Sequence, residues 1–104
     1  MGEAEKIVIR IDKDLEELVP EFLGNRRGDV AAIRGALARG DFETVRQLGH
    51  SMKGAGGGFG FDDITTIGAA LEQAAKRRDG DAIREALEQL AGYLARVKVV
   101  YEEL

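Results

Sequence analysis

The chain has 104 residues, of which 44% are hydrophobic and 33% charged, as is usual for a single globular domain. It contains no cysteine, which excludes a disulfide framework and thiolate chemistry. A net charge of −4 argues against nucleic-acid binding, and the absence of an apolar run of roughly 20 residues argues against a membrane span, so we expect a cytoplasmic protein.

The N-terminal residues 1–12 are predicted to form an arm, and residues 13–104 a helical bundle domain. Residues 7–11, IVIRI, are rich in β-branched residues and favour an extended segment. No second strand-like run is evident for it to pair with, so we expect an arm that packs on helices, or a poorly ordered end. Asp12 or Asp14 can cap a short helix through Leu15, Leu18 and Val19. Pro20 then lies in the first turn of a following helix or kinks a continuous one.

Four longer amphipathic segments follow, separated by short turns. Gly40 and Asp41 are typical of a helix end followed by an N-cap, and the next helix runs from Phe42 to about Gly57. Asp62 or Asp63 is predicted to cap the third helix. The last helix has a heptad seam formed by Ile83, Leu87, Leu90, Leu94, Val97, Tyr101 and Leu104. The pattern predicts an all-α protein, an antiparallel up-down-up-down four-helix bundle with a short N-terminal helix or arm.

The only histidine of the chain, His50, lies in the second of these helices. At about 100° per residue it is roughly 160° away from Leu48 and Met52 of the apolar stripe, and Lys53 lies within about 60° of it. The imidazole is therefore predicted to face solvent beside a lysine.

Glycines follow the histidine on its own face. Gly54 and Gly57 lie one and two turns beyond His50, although a glycine inside a helix costs about 1 kcal/mol relative to alanine. Their lack of side chains leaves room for a large group, and Lys53 adds a positive charge. This arrangement suits an anion that is carried on the imidazole or brought to it.

Three common types of site do not fit the pattern. The neighbours of His50 one turn away are Arg46, Gln47, Lys53 and Gly54, which are not ordinary metal ligands, so we predict no metal site. No carboxylate lies within one turn on the same face to complete a catalytic triad. A P-loop is excluded because Lys53 precedes the glycines and no strand leads into them.

Two interpretations of His50 remain open from the pattern alone. A neutral imidazole can attack phosphorus without a general base, and phosphoryl transfer mainly requires in-line positioning and nearby positive charge. The alternative is an ordinary surface histidine beside a surface lysine.

A resemblance to a known family favours the first interpretation. Residues 50–54, HSMKG, followed by Phe59 and Gly60, resemble the H-x-(hydrophobic)-K-G-x(4)-(hydrophobic)-G signature of histidine-containing phosphotransfer (HPt) domains. Residues 15–54 and 60–76 also resemble that family. Gly49 stands where a larger small residue such as alanine is common, and with the glycines at 56–58 this leads us to expect a looser C-terminal part of the helix.

The resemblance implies a phosphocarrier without catalytic activity of its own. His50 would accept a phosphoryl group on Nε2 from the aspartate of one receiver domain and pass it to another. Lys53 and Lys76 would stabilise the phosphate, and Gln47 would hydrogen-bond near the ring. Glu72, 22 positions after the histidine, is less obviously helpful beside a phosphate.

The same resemblance implies how partners would approach. Gly54 would allow the receiver to come close, as the open face at Gly57 also suggests. Leu15 and Val19 could supply a docking patch, although both could equally be core residues. The expected partners are receiver domains of response regulators or hybrid sensor kinases. The chain would need no cofactor, since magnesium would belong to the receiver.

Two other functions remain as alternatives. The chain could be the phosphate-accepting domain of a chemotaxis-type histidine kinase, or a scaffold that binds a receiver without turnover. We expect a monomer, with a dimer through residues 7–11 left open.

Overall fold

The computed structural model describes residues 5–103, and most of them belong to four α-helices. These are α1 (Val19–Ala38), α2 (Phe42–Phe59), α3 (Asp62–Lys76) and α4 (Gly80–Arg96). Helix α1 packs on α2, α2 on α3, α3 on α4, and α4 on α1, so the four enclose one core. The predicted helical bundle is confirmed. None of the helices described between residues 5 and 103 has both the length and the apolar character needed to cross a membrane.

The helix ends follow local chemistry. The Asp41 carboxylate accepts a hydrogen bond from the backbone N–H of Thr44 and caps α2, as predicted. Gly40 and Gly60, at the ends of α1 and α2, have φ angles of 70° and 87°. Glycine suits these left-handed positions because it has no Cβ to clash with the following carbonyl. Pro20 lies in the first turn of α1, as expected.

The start of α3 differs from the prediction. Neither Asp62 nor Asp63 is the N-cap, because Phe61 takes that position without a side-chain hydrogen bond. Both aspartates lie in the first turn instead, where their negative charges are favourable near the positive end of the helix dipole. Phe61 is fully buried, so burial of its ring fixes the place where α3 begins.

The prediction of an all-α fold is wrong at the two ends of the domain. Strand β1 (Ile7–Asp12) pairs in parallel with strand β2 (Val97–Glu102). A single 3₁₀ turn, Lys13–Leu15, follows β1. The last helix ends at Arg96, so the heptad seam predicted beyond that residue is wrong, and Leu104 lies outside the described residues.

The alternation of apolar residues explains these strands. In β2, Val97, Val99 and Tyr101 are half-buried and pack against the core. They lie opposite Ile7, Ile9 and Ile11 of β1, which cover the same core. Side chains alternate between the two faces of a strand, so this spacing of two buries every apolar residue of one face. Val97 and Tyr101 also satisfy a helical spacing, which is why the sequence alone was ambiguous.

Helices α2 and α3 touch through their backbones. A Cβ atom added to Gly49 would lie 2.8 Å from the backbone nitrogen of Glu72, and one added to Gly68 would lie 2.6 Å from that of Lys53. A Cβ on Gly56 would lie 2.8 Å from the backbone nitrogen of Thr65. The buried glycines therefore allow α2 and α3 to pack closely. From the sequence we had expected the glycines only to loosen α2.

Replacement of one packing glycine tests this contact. We expect Gly49→Ala to lower the free energy of unfolding by about 1–3 kcal/mol, because the new methyl group must push two backbones apart. Gly54→Ala on the same helix is the control, since a Cβ there meets nothing within 4 Å. That variant should be neutral or up to about 1 kcal/mol more stable. Urea unfolding of both proteins measures the difference, and equal effects would contradict the packing role of Gly49.

Candidate phosphotransfer site

His50 lies midway along α2 with its ring turned to solvent. Its side chain is 64% exposed, which confirms the predicted orientation. The face on which it lies is also open beyond the ring. A Cβ on Gly54 would meet no atom within 4 Å, and one on Gly57 would meet only Thr65 Oγ1, at 3.8 Å. A partner can therefore approach the imidazole from the side of these two glycines.

A carboxylate from α3 holds the inner edge of the ring. Nδ1 of His50 lies 2.9 Å from Oε2 of Glu72, whose side chain is only 6% exposed. The distance between the two side chains is short because α2 and α3 approach each other closely at Gly49 and Gly68. Glu72 is thus the nearest partner of the histidine, a role that the sequence interpretation did not give it.

Two lysines compensate the charge of this carboxylate. Lys53 Nζ lies 2.9 Å from Glu72 Oε1, and Lys76 Nζ lies 4.0 Å from Glu72 Oε2. The Lys53 hydrogen bond in particular, with a smaller contribution from His50, holds the pKa of Glu72 below its usual range. Glu72 is therefore ionised at neutral pH.

An ionised Glu72 decides which ring nitrogen carries the proton. A carboxylate can only accept hydrogen bonds, so the 2.9 Å contact requires that Nδ1–H of His50 donates to it. In the neutral imidazole the lone pair then lies on Nε2. The structure thus combines a fixed tautomer with an exposed ring, which leaves the nucleophilic nitrogen on the solvent side.

Gln47 does not contact the ring in this structure. Its side-chain nitrogen donates to Glu43 Oε2 at 3.1 Å, and Arg46 donates to the same carboxylate at 2.6 Å and 2.8 Å. The three side chains form a polar cluster one to two turns before His50. A role of Gln47 at the ring remains a prediction.

The predicted docking patch on the N-terminal segment needs correction. Val19 is 1% exposed and belongs to the core, so its side chain offers no surface to a partner. Leu15 is partly buried and packs against the same core. The contacts around His50 run to α3 rather than to this segment.

Glu72 was the functional residue that the sequence interpretation undervalued. The available signal was its spacing: Gly68, Glu72 and Lys76 follow one another at four residues and so share one face of α3. A small residue on that face indicates close helix contact. Among residues 5–103, no group of three or more potential metal-ligating side chains comes together.

The four helices present one exposed histidine, backed by a carboxylate and two lysines. The family model of the Hpt domain matches residues 17–99, so the chain belongs to the Hpt family. Membership supports a role in histidine phosphotransfer. The match covers all four helices and the start of β2, and it excludes β1. Comparisons with curated proteins and with solved structures gave no significant match.

The low pKa of Glu72 has a consequence for stability. Its carboxylate stabilises the fold fully above the unfolded-state pKa of about 4.3, and that contribution is lost as the pH falls through the lower folded-state pKa. We expect wild type to melt at a higher temperature than Glu72→Gln at pH 7, and the gap to shrink by pH 3.

Thermal melts at several pH values measure that gap. Other carboxylates titrate in both proteins and cancel in the difference. Glu85→Gln, which removes one charge from an exposed position of α4, is the matched control. A gap that stays constant with pH would contradict the ion pairs assigned to Glu72.

Proposed function

We propose that the protein carries phosphoryl groups in a multistep two-component phosphorelay, accepting one on His50 from a receiver-domain aspartate and passing it to another receiver. The observation that supports this most directly is the Nδ1–H hydrogen bond to Glu72 on a ring that is otherwise exposed. It supplies a nucleophile at Nε2 with no need for a general base. The partners are receiver domains of response regulators or hybrid sensor kinases.

The transfer step balances without a further reactant. The Nε2 lone pair of His50 attacks the phosphorus of the aspartyl phosphate, an N–P bond forms, and the P–O bond to the aspartate breaks so that its carboxylate leaves. The ring becomes cationic, and its Nδ1–H stays bonded to Glu72, which stabilises the positive charge. Donation to the next receiver is the reverse of this step.

The surrounding residues take complementary roles. Lys53 and Lys76 offer positive charge to the phosphoryl oxygens, and Gly54 and Gly57 give the receiver room to approach. Gln47 can hydrogen-bond near the ring once its hydrogen bond to Glu43 breaks. Any magnesium acts on the receiver, so the chain needs no cofactor of its own and has no autonomous catalytic activity.

The arrangement of the chain fits this role. We propose that the four helices between residues 19 and 96 form an antiparallel up-down-up-down bundle, supported by the short turns between them. Every residue of the site comes from one chain, so a monomer is sufficient for transfer. The cytoplasmic location remains a prediction.

Removal of the imidazole tests the proposal. A receiver domain labelled with radioactive phosphate should transfer an acid-labile label to wild type and none to His50→Gln, since the chain has no second histidine. Phosphorus NMR of the labelled wild type should place the phosphate on Nε2. Label on the variant, or binding of receivers without any label on wild type, would overturn the proposal. Labelling only by ATP and a kinase catalytic domain would favour the chemotaxis-type alternative.

Lys53 should affect the rate of transfer. Loss of one charge-assisted hydrogen bond to the phosphoryl group is worth about 1.5–3 kcal/mol, so Lys53→Ala should slow labelling by about tenfold or more. Lys53→Arg should restore part of the rate because it keeps the charge. Lys13→Ala, which removes the same charge from the turn before α1, should transfer at the wild-type rate. Rapid-quench labelling compares the four proteins, and an unchanged rate for Lys53→Ala would exclude the role.

A further inference from the structure

Strand β2 has one edge without a partner strand. The sheet has two strands, so β2 pairs with β1 along one side, and no strand within residues 5–103 pairs with its other side. A strand edge of this kind presents backbone N–H and C=O groups that can pair with another chain.

The outward side chains of β2 form a charged pattern. Lys98 is exposed, and Val100 and Glu102 are half-exposed on the face away from the core. Lys98 lies beside Val8 of β1 and makes no ion pair within residues 5–103. Glu102 lies beside Asp12, another acid, and its Oε2 lies 3.7 Å from Nε of Arg10, whose side chain is 73% exposed. Lys98 would therefore gain from an opposite charge on the free side of β2. Glu102 can supply that charge to a second copy, because a long ion pair in contact with solvent holds it only weakly.

We propose that the free edge of β2 pairs with the same edge of a second copy of this chain, in an antiparallel register centred on Val100. A two-fold axis that joins two identical edges into one sheet makes the paired strands antiparallel. In this register Lys98 lies opposite Glu102 of the second copy. By symmetry, Glu102 lies opposite Lys98 of the second copy, so the dimer contains this ion pair twice. Val99 lies opposite Tyr101 of the second copy, a favourable pair of β-branched and aromatic side chains.

Other registers of β2 lose this complementarity. Moving the centre to Val99 places Lys98 opposite Val100, and moving it to Tyr101 places Val100 opposite Glu102. A centre at Lys98 or at Glu102 places like charges together, which is destabilising. Only the register centred on Val100 pairs both charges and keeps five residues of each strand in the ladder.

The edge of β1 is a poorer candidate. A register centred on Arg10 opposes two arginines. The register that pairs Arg10 with Asp12 involves only residues 10–12, and the Asp12 carboxylate already accepts a hydrogen bond from the backbone N–H of Asp14. A register centred on Ile9 pairs the five residues 7–11 but brings no opposite charges together, because it places Val8 opposite Arg10. Only the edge of β2 combines five paired residues with opposite charges.

The dimer should be weak and separate from the phosphotransfer chemistry. Two five-residue strands bury less than the roughly 1,200 Å² of a specific stable interface, so association should depend on concentration. His50 and its partners on α2 and α3 take no part in the pairing, so the dimer can be tested independently of the proposed function.

Charge exchange tests the register. Sedimentation equilibrium from about 10 μM to about 1 mM, a range suited to weak dimers, should show wild type dimerising. Lys98→Glu puts a carboxylate opposite Glu102 of the second copy and should weaken the dimer about tenfold, as should Glu102→Lys. The double variant Lys98→Glu/Glu102→Lys should restore the dissociation constant to within about threefold of wild type.

Cross-linking tests the centre of the pair. Paired residues on antiparallel strands have Cα atoms about 4.5–5.5 Å apart, within the range of a disulfide. Val100→Cys should therefore form a covalent dimer on mild oxidation, in a chain that has no other cysteine. Val8→Cys on β1, with 56% of the native residue exposed, is the matched control and should cross-link far less.

Circular dichroism of each variant should match that of wild type, which checks that the variants are folded. A wild type that stays monomeric at about 1 mM would overturn the proposal. A dimer that the charge exchange does not affect, or equal cross-linking of the two cysteine variants, would overturn the proposed edge and register.

Discussion

The backbone contact between α2 and α3 is the constraint on which the site depends. Gly49 and Gly68 face each other where no Cβ can fit, so the two helices approach more closely than ordinary side chains allow. This approach carries Glu72 to within 2.9 Å of the His50 ring. With wider packing, the carboxylate would lie farther from the imidazole, and Nδ1 would lose the partner that fixes its proton.

The electrostatics of the site follow from one carboxylate that is almost inaccessible. A buried charge is costly unless it is paired, and Glu72 has Lys53 and Lys76 close by and His50 as a hydrogen-bond donor. Under the proposed function, the same lysines would be the cations available to a phosphoryl group on Nε2. The positive charge that stabilises Glu72 would then also serve a second anion.

The glycines of α2 divide into two sets with opposite roles. Gly49 and Gly56 are buried and allow close contact with α3. Gly54, Gly57 and Gly58 are exposed, and the first two leave the histidine accessible. The helix tolerates so many glycines because tertiary packing, rather than intrinsic propensity, supplies most helical stability. Phe59 at its end stacks on Phe22 of α1, with ring centroids 4.4 Å apart, and this contact anchors the glycine-rich part.

The sequence by itself determined the four helices, the Asp41 cap and the solvent orientation of His50, because helical period and capping are local properties. It misassigned Val97–Glu102 because Val97 and Tyr101 satisfy the helical spacing as well as the strand spacing, and only the presence of Ile7–Asp12 alongside selects the strand. The tertiary structure also decided the role of Glu72 and the burial of Val19. Glu72 becomes the partner of His50, 22 residues away, only when Gly49 and Gly68 let two backbones meet, and a contact across two helices leaves no periodic signal in either one.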